Sequence, residues 1–195
     1  MKRLLAIVPV LFLLSFFGCV QSLQPYYKDN QLFYDPNLVG KWTDADQQNT
    51  VVITGDADKK VYTVVLTDEK GKTGSFIMHL AKVQDHMIAD IFPDDLKEGD
   101  LKVNDEYALH LLPVHSFMMV EYSPPDLRVR QMDFDWFKRY VDAHPDEVAY
   151  QKLQGDHYIL TGTTDQVQAF VLKHASEKGA FGDAQDVIRI PSTQP

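Results

Sequence analysis

Between Val39 and Arg130 apolar and polar residues alternate again and again with a period of two, and this pattern more than any other restricts what the chain can become. Successive side chains of a strand point to opposite faces of a sheet, so such alternation marks strands with one face turned to a core. Tyr62, Val64 and Leu66 alternate with Thr63, Val65 and Thr67; the run Asp68-Glu69-Lys70-Gly71-Lys72 then supplies a turn, and Phe76, Met78 and Leu80 resume on one face. That is a hairpin. Further strands are expected at 50–54, 87–92, 107–112, 116–122 and 127–131, with punctuation at Asp56-Ala57-Asp58, Pro93-Asp94-Asp95, Pro113 and Pro124-Pro125-Asp126. Strands joined by links this short form an antiparallel meander.

The period then changes. Asp133 is placed to cap a helix, with Met132 and Phe137 forming a hydrophobic staple across its first turn, and Phe137, Tyr140 and Val141 share one face before Pro145 ends it. A strand is expected at 157–161. Thr163 and Gln166 then have the spacing of a capping box ahead of Val167, Phe170, Val171 and Ala175, with Gly179 where a helix C-cap would stand.

The N-terminus has a different logic. Met1-Lys2-Arg3 is followed by an uncharged, mostly apolar run from Leu4 to Phe17. A basic start before an apolar run shorter than the roughly 18 residues needed to cross a bilayer reads as a secretory signal over residues 1–18. Its end, Phe16-Phe17-Gly18-Cys19, resembles the lipobox of bacterial lipoproteins, in which cleavage after a small residue leaves a cysteine that receives lipid. Phe16 and Phe17 depart from the aliphatic and small residues usual there. The resemblance implies lipidation of Cys19, a membrane held through N-terminal acyl chains, and a place in the cell envelope; with no aspartate after the cysteine, that place is the outer membrane in a Gram-negative host. An ordinary signal peptide with an incidental cysteine is the alternative. Cys19 is the chain's only cysteine, so neither a disulfide framework nor a cysteine-based zinc site is open to it. Residues 19–36 are expected to be a lipid-anchored tether whose aromatic second half packs on the domain, and 37–195 a single β-rich domain.

One short motif bears on the kind of sheet. Asp35-Pro36-Asn37-Leu38-Val39-Gly40-Lys41-Trp42 resembles the start of lipocalin-type barrels, where a turn leads into Gly-X-Trp on the first strand. The resemblance implies a mainly β, antiparallel, lipocalin-like barrel with one or two C-terminal α-helices. It also implies a tryptophan packed across the closed end and Arg189 as the arginine laid against it. An unrelated antiparallel sheet with helices on one face is the competing reading.

Charge and motif content exclude several functions. The chain holds 28 acidic and 19 basic residues, and removal of Lys2 and Arg3 with the signal leaves seventeen basic, a net −11. A surface of that sign repels phosphate backbones, so nucleic acid is not an expected partner. Among seven histidines no pair has the spacing that puts two metal ligands on one helical face. His79, His110 and His115 lie on strands that could neighbour one another, but a strand histidine is more often a half-buried polar group, and no metal or cofactor is expected. The carboxylates Asp94, Asp95, Glu98, Asp100, Asp105 and Glu106 lack the alternating spacing of a calcium loop. Ser116 follows His115 but should face the opposite side of its strand, and there is no Gly-X-Ser-X-Gly elbow. No catalytic residue is therefore assigned. An enzyme would need distant residues such as His79, Asp90 and His115 to converge.

What remains is an apolar face. Phe76, Met78, His79, His115 and Phe117 are the candidate ligand-binding residues, set beside Met118 and Met119; the alternative is that the apolar positions fill a solid core, as the side chains of small barrels often do. The sequence thus reads as a lipid-anchored, non-catalytic envelope protein binding a small apolar ligand in a barrel. The alternative is an assembly lipoprotein making protein contacts through the helix that carries Phe134 and Trp136.

Overall fold

The computed structural model describes residues 20–94, 111–154 and 157–191. Eight strands close a barrel: β3 (Gly40–Asp44), β4 (Thr50–Asp56), β5 (Val61–Thr67), β6 (Thr73–Val83), β7 (His86–Pro93), β8 (His115–Ser123), β9 (Asp126–Arg130) and β12 (Gln185–Ile190). Each pairs antiparallel with its sequence neighbour from β3 to β9; β12 then pairs with β9 on one side and β3 on the other, which shuts the ring. A ring has no free strand at an edge, so each of these strands has a paired neighbour on both sides. The meander expected from the alternation is present, and the closed barrel is consistent with the lipocalin-like one that the Gly40-Lys41-Trp42 resemblance implied.

The expected strand 107–112 falls mostly outside the described residues, and Leu111 and Leu112 within it are exposed and in no strand. Residues 157–161 do form a strand, β11 (His157–Leu160), but it does not enter the barrel. It lies between β10 (Tyr150–Leu153), antiparallel, and β1 (Gln21–Ser22), parallel, and β1 in turn pairs with the His115-Ser116 end of β8. Since β9 pairs with β8 only from Met119 to Ser123, the upper edge of β8 is left for β1 to take. A small sheet therefore branches off the barrel wall. A further short strand, β2 (Leu32–Phe33), pairs with β6.

This changes the reading of residues 19–36. From Val20 onward the segment is built into the fold: Val20 is 1% exposed, Ser22 and Tyr26 are fully buried, and Leu32 and Phe33 are paired in sheet. Apolar residues spaced through it, Val20, Tyr26 and Tyr27, bury enough surface to fix it on the barrel, which a Gly- and Ser-rich tether could not do.

Helix α1 (Phe134–Ala143) starts where Asp133 accepts the Trp136 N–H at 2.6 Å, and α2 (Thr164–His174) starts at the Thr163–Gln166 capping box. Both starts match the sequence signals. Helix α2 stops at His174, earlier than Gly179, which takes a positive φ of 85° in the following turn.

Two cores result. Inside the barrel sit Trp42, Ile53, Tyr62, Val64, Met78, Leu80, Ala89, Val120 and Leu127. The second core lies between the outer wall of β6 to β8, which contributes Ala81, Val83, Ile88, Phe117 and Met119, and the helices, which contribute Phe137, Val141, Val167, Phe170 and Val171. These three strands are therefore apolar on both faces, and their alternation separates two cores rather than a core from water.

Candidate functional site

The barrel's two ends are built differently. At one end the 3-10 turn Pro36–Leu38, capped by Asp35 accepting the Asn37 N–H, carries the chain beneath the barrel and delivers Leu38 into it. Trp42 is fully buried above this turn and donates its indole N–H to the Leu38 carbonyl at 2.9 Å. The Arg189 guanidinium lies over the indole, 4.1 Å from the ring centroid, and donates to the carbonyls of Val39 and Asn37. The arginine-on-tryptophan contact implied by the lipocalin resemblance is thus present in the structure. Gly40 makes it possible, since at φ 148° a Cβ there would collide with the guanidinium. Tyr34 stacks on Tyr62 with ring centroids 4.7 Å apart, and Gly55 leaves the room, because a Cβ would meet the Tyr34 hydroxyl at 2.6 Å. Burial pushes the Tyr62 hydroxyl up to about 12, partly opposed by its hydrogen bonding with Asp35, whose N–H it accepts at 2.6 Å. This end is sealed.

At the other end one inward-facing layer is apolar and, among the described residues, only partly covered. Register identifies them: Val51 opposes Trp42 and Leu66, Phe76 opposes Val64, Ile91 opposes Met78, and Met118 opposes Ala89. Val51, Leu66, Phe76, Ile91, Met118 and Val129 are all half-buried, whereas the neighbouring inward layer of Ile53, Val64, Met78, Ala89, Val120 and Leu127 is buried throughout, at 8% exposure or less. Six half-buried apolar side chains thus stand above a packed floor, with Ser116 on the same face of β8 as Met118. Such a layer offers apolar contact surface.

The five candidate residues do not share this place. Phe76 and Met78 face the barrel interior, while Phe117 belongs to the outer core and His79 and His115 lie on the outer wall. Strand alternation forces the separation: Met78 and His79 are adjacent on β6, so only one can face inward. Only Phe76 belongs to the half-buried layer and Met78 to the floor beneath it, and Phe76 is joined in its layer by Val51, Leu66, Ile91, Met118 and Val129. These additional residues sit at alternating strand positions, but only the stagger between strands shows which reach the open layer.

On the outer wall a polar constellation forms instead. His79 and Asp90 are register partners across β6 and β7, and the Asp90 carboxylate, 1% exposed, accepts from the Tyr26 backbone N–H at 2.8 Å and meets His115 Nδ1 at 2.7 Å. The His115 ring packs on Phe92 and the His79 ring on Tyr27. Burial, with the negative charge of Asp90 next in weight, pushes the Tyr27 hydroxyl up to about 12. An aspartate holding a histidine by Nδ1 is two-thirds of a nucleophile-activating triad. Ser116 does not complete it, because it pairs opposite Ile91 and so faces inward, and a phenol titrating near 12 is a poor nucleophile at neutral pH. What Asp90 visibly holds is the N-terminal segment, through Tyr26.

Among the described residues no group of three or more His, Cys, Asp or Glu is placed to hold a metal ion, and no helix is long and apolar enough to cross a membrane. No protein-family model, no curated protein and no solved structure matches the chain.

Proposed function

We propose that the protein is a lipid-anchored envelope component that binds a small apolar molecule in the open end of its barrel and performs no catalysis. The observation that supports this reading is the layer of six inward-facing apolar side chains that, among the described residues, stay half-buried above a fully buried layer at the end away from the Trp42 turn. Apolar surface left accessible inside a concavity forgoes roughly 25 cal/mol per Å² of burial, which a ligand recovers on entering. Met118 and Phe76 suit a ligand of irregular shape, since a thioether chain adapts its rotamers and a ring offers a flat face.

The anchor is Cys19, and its support is the layout of residues 1–19. The assembly reading draws less support. Its surface, the Phe134 and Trp136 side of α1, is engaged within the molecule: Phe134 stands edge-on to Tyr158, and Trp136 stacks on Tyr140 and packs against Phe170 and His174.

Native mass spectrometry of the chain purified gently from its host, before and after denaturation, tests the ligand. A small apolar molecule that departs on denaturation, and is absent from an Ile91→Lys variant of unchanged circular dichroism, is the expected result. A bare polypeptide mass, together with no enhancement of an environment-sensitive apolar dye by the wild-type chain, would overturn the proposal.

A further inference from the structure

We infer that the protein sits directly against its membrane, without a tether, and that the flank around Val20 is a seating surface for lipid headgroups; this rests on the Cys19 anchor proposed above. Gln21 pairs with both Ser116 and Ile159, which places Val20 level with Phe117 and Tyr158 in the same core, at 1% exposure. The lipid-bearing residue immediately precedes Val20, and one residue spans only about 3.5 Å. Acyl chains attached there bring the headgroup layer against whatever surface adjoins Val20.

Two groups of side chains adjoin it. On one side is the end of the β10–β11 pair, where Leu153 opposes His157 and is 45% exposed, and where the Lys152 ammonium lies over the Tyr158 ring. On the other side β9 leaves β8 at the Arg130–Met119 pair, two residues along β8 from the level of Val20. There a cleft of about 460 Å³ opens between the barrel's outer wall and the chain after α2, with Arg128, Arg130 and Lys178 in its lining.

The carboxylates of this cleft are Glu121, Glu177 and Asp183. Glu121 is engaged by both arginines at 3.1 Å, and Glu177 is engaged by His174 Nδ1 at 2.5 Å. The cleft's three cations balance its three carboxylates and Lys152 adds a further positive charge, so in a chain with a large acidic excess this flank repels phosphate headgroups less than the chain's net charge would. Leu153 adds the apolar contact of an interfacial residue, and the lysines can keep their charge in the headgroup layer while their stems lie lower.

The lone native cysteine makes the test direct. Leu153→Cys and Lys70→Cys, the second on the far hairpin turn, are each produced in a bacterial host as the full chain, labelled with an environment-sensitive fluorophore and placed in vesicles of phosphatidylethanolamine and phosphatidylglycerol. Intact mass reports acyl groups on Cys19 independently of the fluorescence. With acyl mass present, the expected result is a blue shift and quenching by spin-labelled lipid at position 153, neither at position 70, and loss of part of the shift when Arg128→Glu and Lys178→Glu are added. Acyl mass present with both positions equally unshifted would overturn the seating surface and leave the anchor standing; no acyl mass on the wild-type chain would overturn both.

Discussion

The two ends of the barrel are made by the same strands and differ in what covers them. At the sealed end a chain segment from outside the barrel, Tyr34 to Leu38, passes beneath and is locked by Trp42, Arg189 and Tyr62. The opposite end has the same alternation and the same class of side chain, yet Val51, Phe76, Ile91 and Met118 stay half-buried. Closure is therefore not a property of the strands. At the Trp42 end it comes from a plug of non-strand residues, and what this teaches is that full burial of an inward layer depends on a segment from outside the strands.

The comparison can be broken most forcefully at Trp42. Replacing it with alanine removes the largest fully buried side chain and the platform for Arg189, and should cost about 3–5 kcal/mol in chemical denaturation. A cost below 1 kcal/mol would mean that the sealed end is not where the stability lies. Next in size is Asp90→Ala on the outer wall, which orphans the Tyr26 N–H and the His115 ring nitrogen; about 1–3 kcal/mol is expected, with hydrogen exchange rising first in residues 20–27. Exchange that rises uniformly would deny Asp90 its role as the fastening of the N-terminal segment.

Alkaline titration probes the sealed end by a different route. The Tyr62 hydroxyl is raised from 10.0 to about 12 in the folded state, so folding favours its neutral form. The resulting stability is complete below pH 10 and is lost as pH rises through 12, a fall on the order of 1–2 kcal/mol, and Tyr62→Phe should flatten that part of the profile. The smallest stability effect belongs to the open end. Met118→Ala should change stability by about 1 kcal/mol or less, because a half-buried side chain gives up little area, while weakening retention of a bound apolar molecule in native mass spectra. A large loss of stability from Met118→Ala would show that the end is packed and not open.

Much of this architecture could be read from local signals. The alternation at Tyr62, Val64 and Leu66 placed β5, the Asp68–Lys72 turn placed its hairpin, and Asp133 and Thr163 marked both helix starts, because these signals act within a few residues. Strands β1, β10 and β12 escaped notice for the opposite reason. Each is short, and Gln21-Ser22 or Gln185-Asp186 has no pattern of its own; they are strands because β8, β11 and β3 offer unpaired edges to them. The closing strand of the barrel is β12 and not 157–160, and only the position of β3 and β9 in space decides that.

The candidate site divides the same way. That Phe76 and Met78 face one side and His79 the other follows from the two-residue period of any strand, and so belongs to the sequence alone. Which of those sides is inside the barrel, which inward layer is half-buried, and that Asp90 reaches His115 and, across 64 residues of chain, Tyr26 were settled by tertiary structure. Alternation is local and leaves its mark in the order of residues, whereas stagger between strands and the seating of a plug depend on contacts between segments far apart in the chain, and nothing in either segment by itself records the distance to the other.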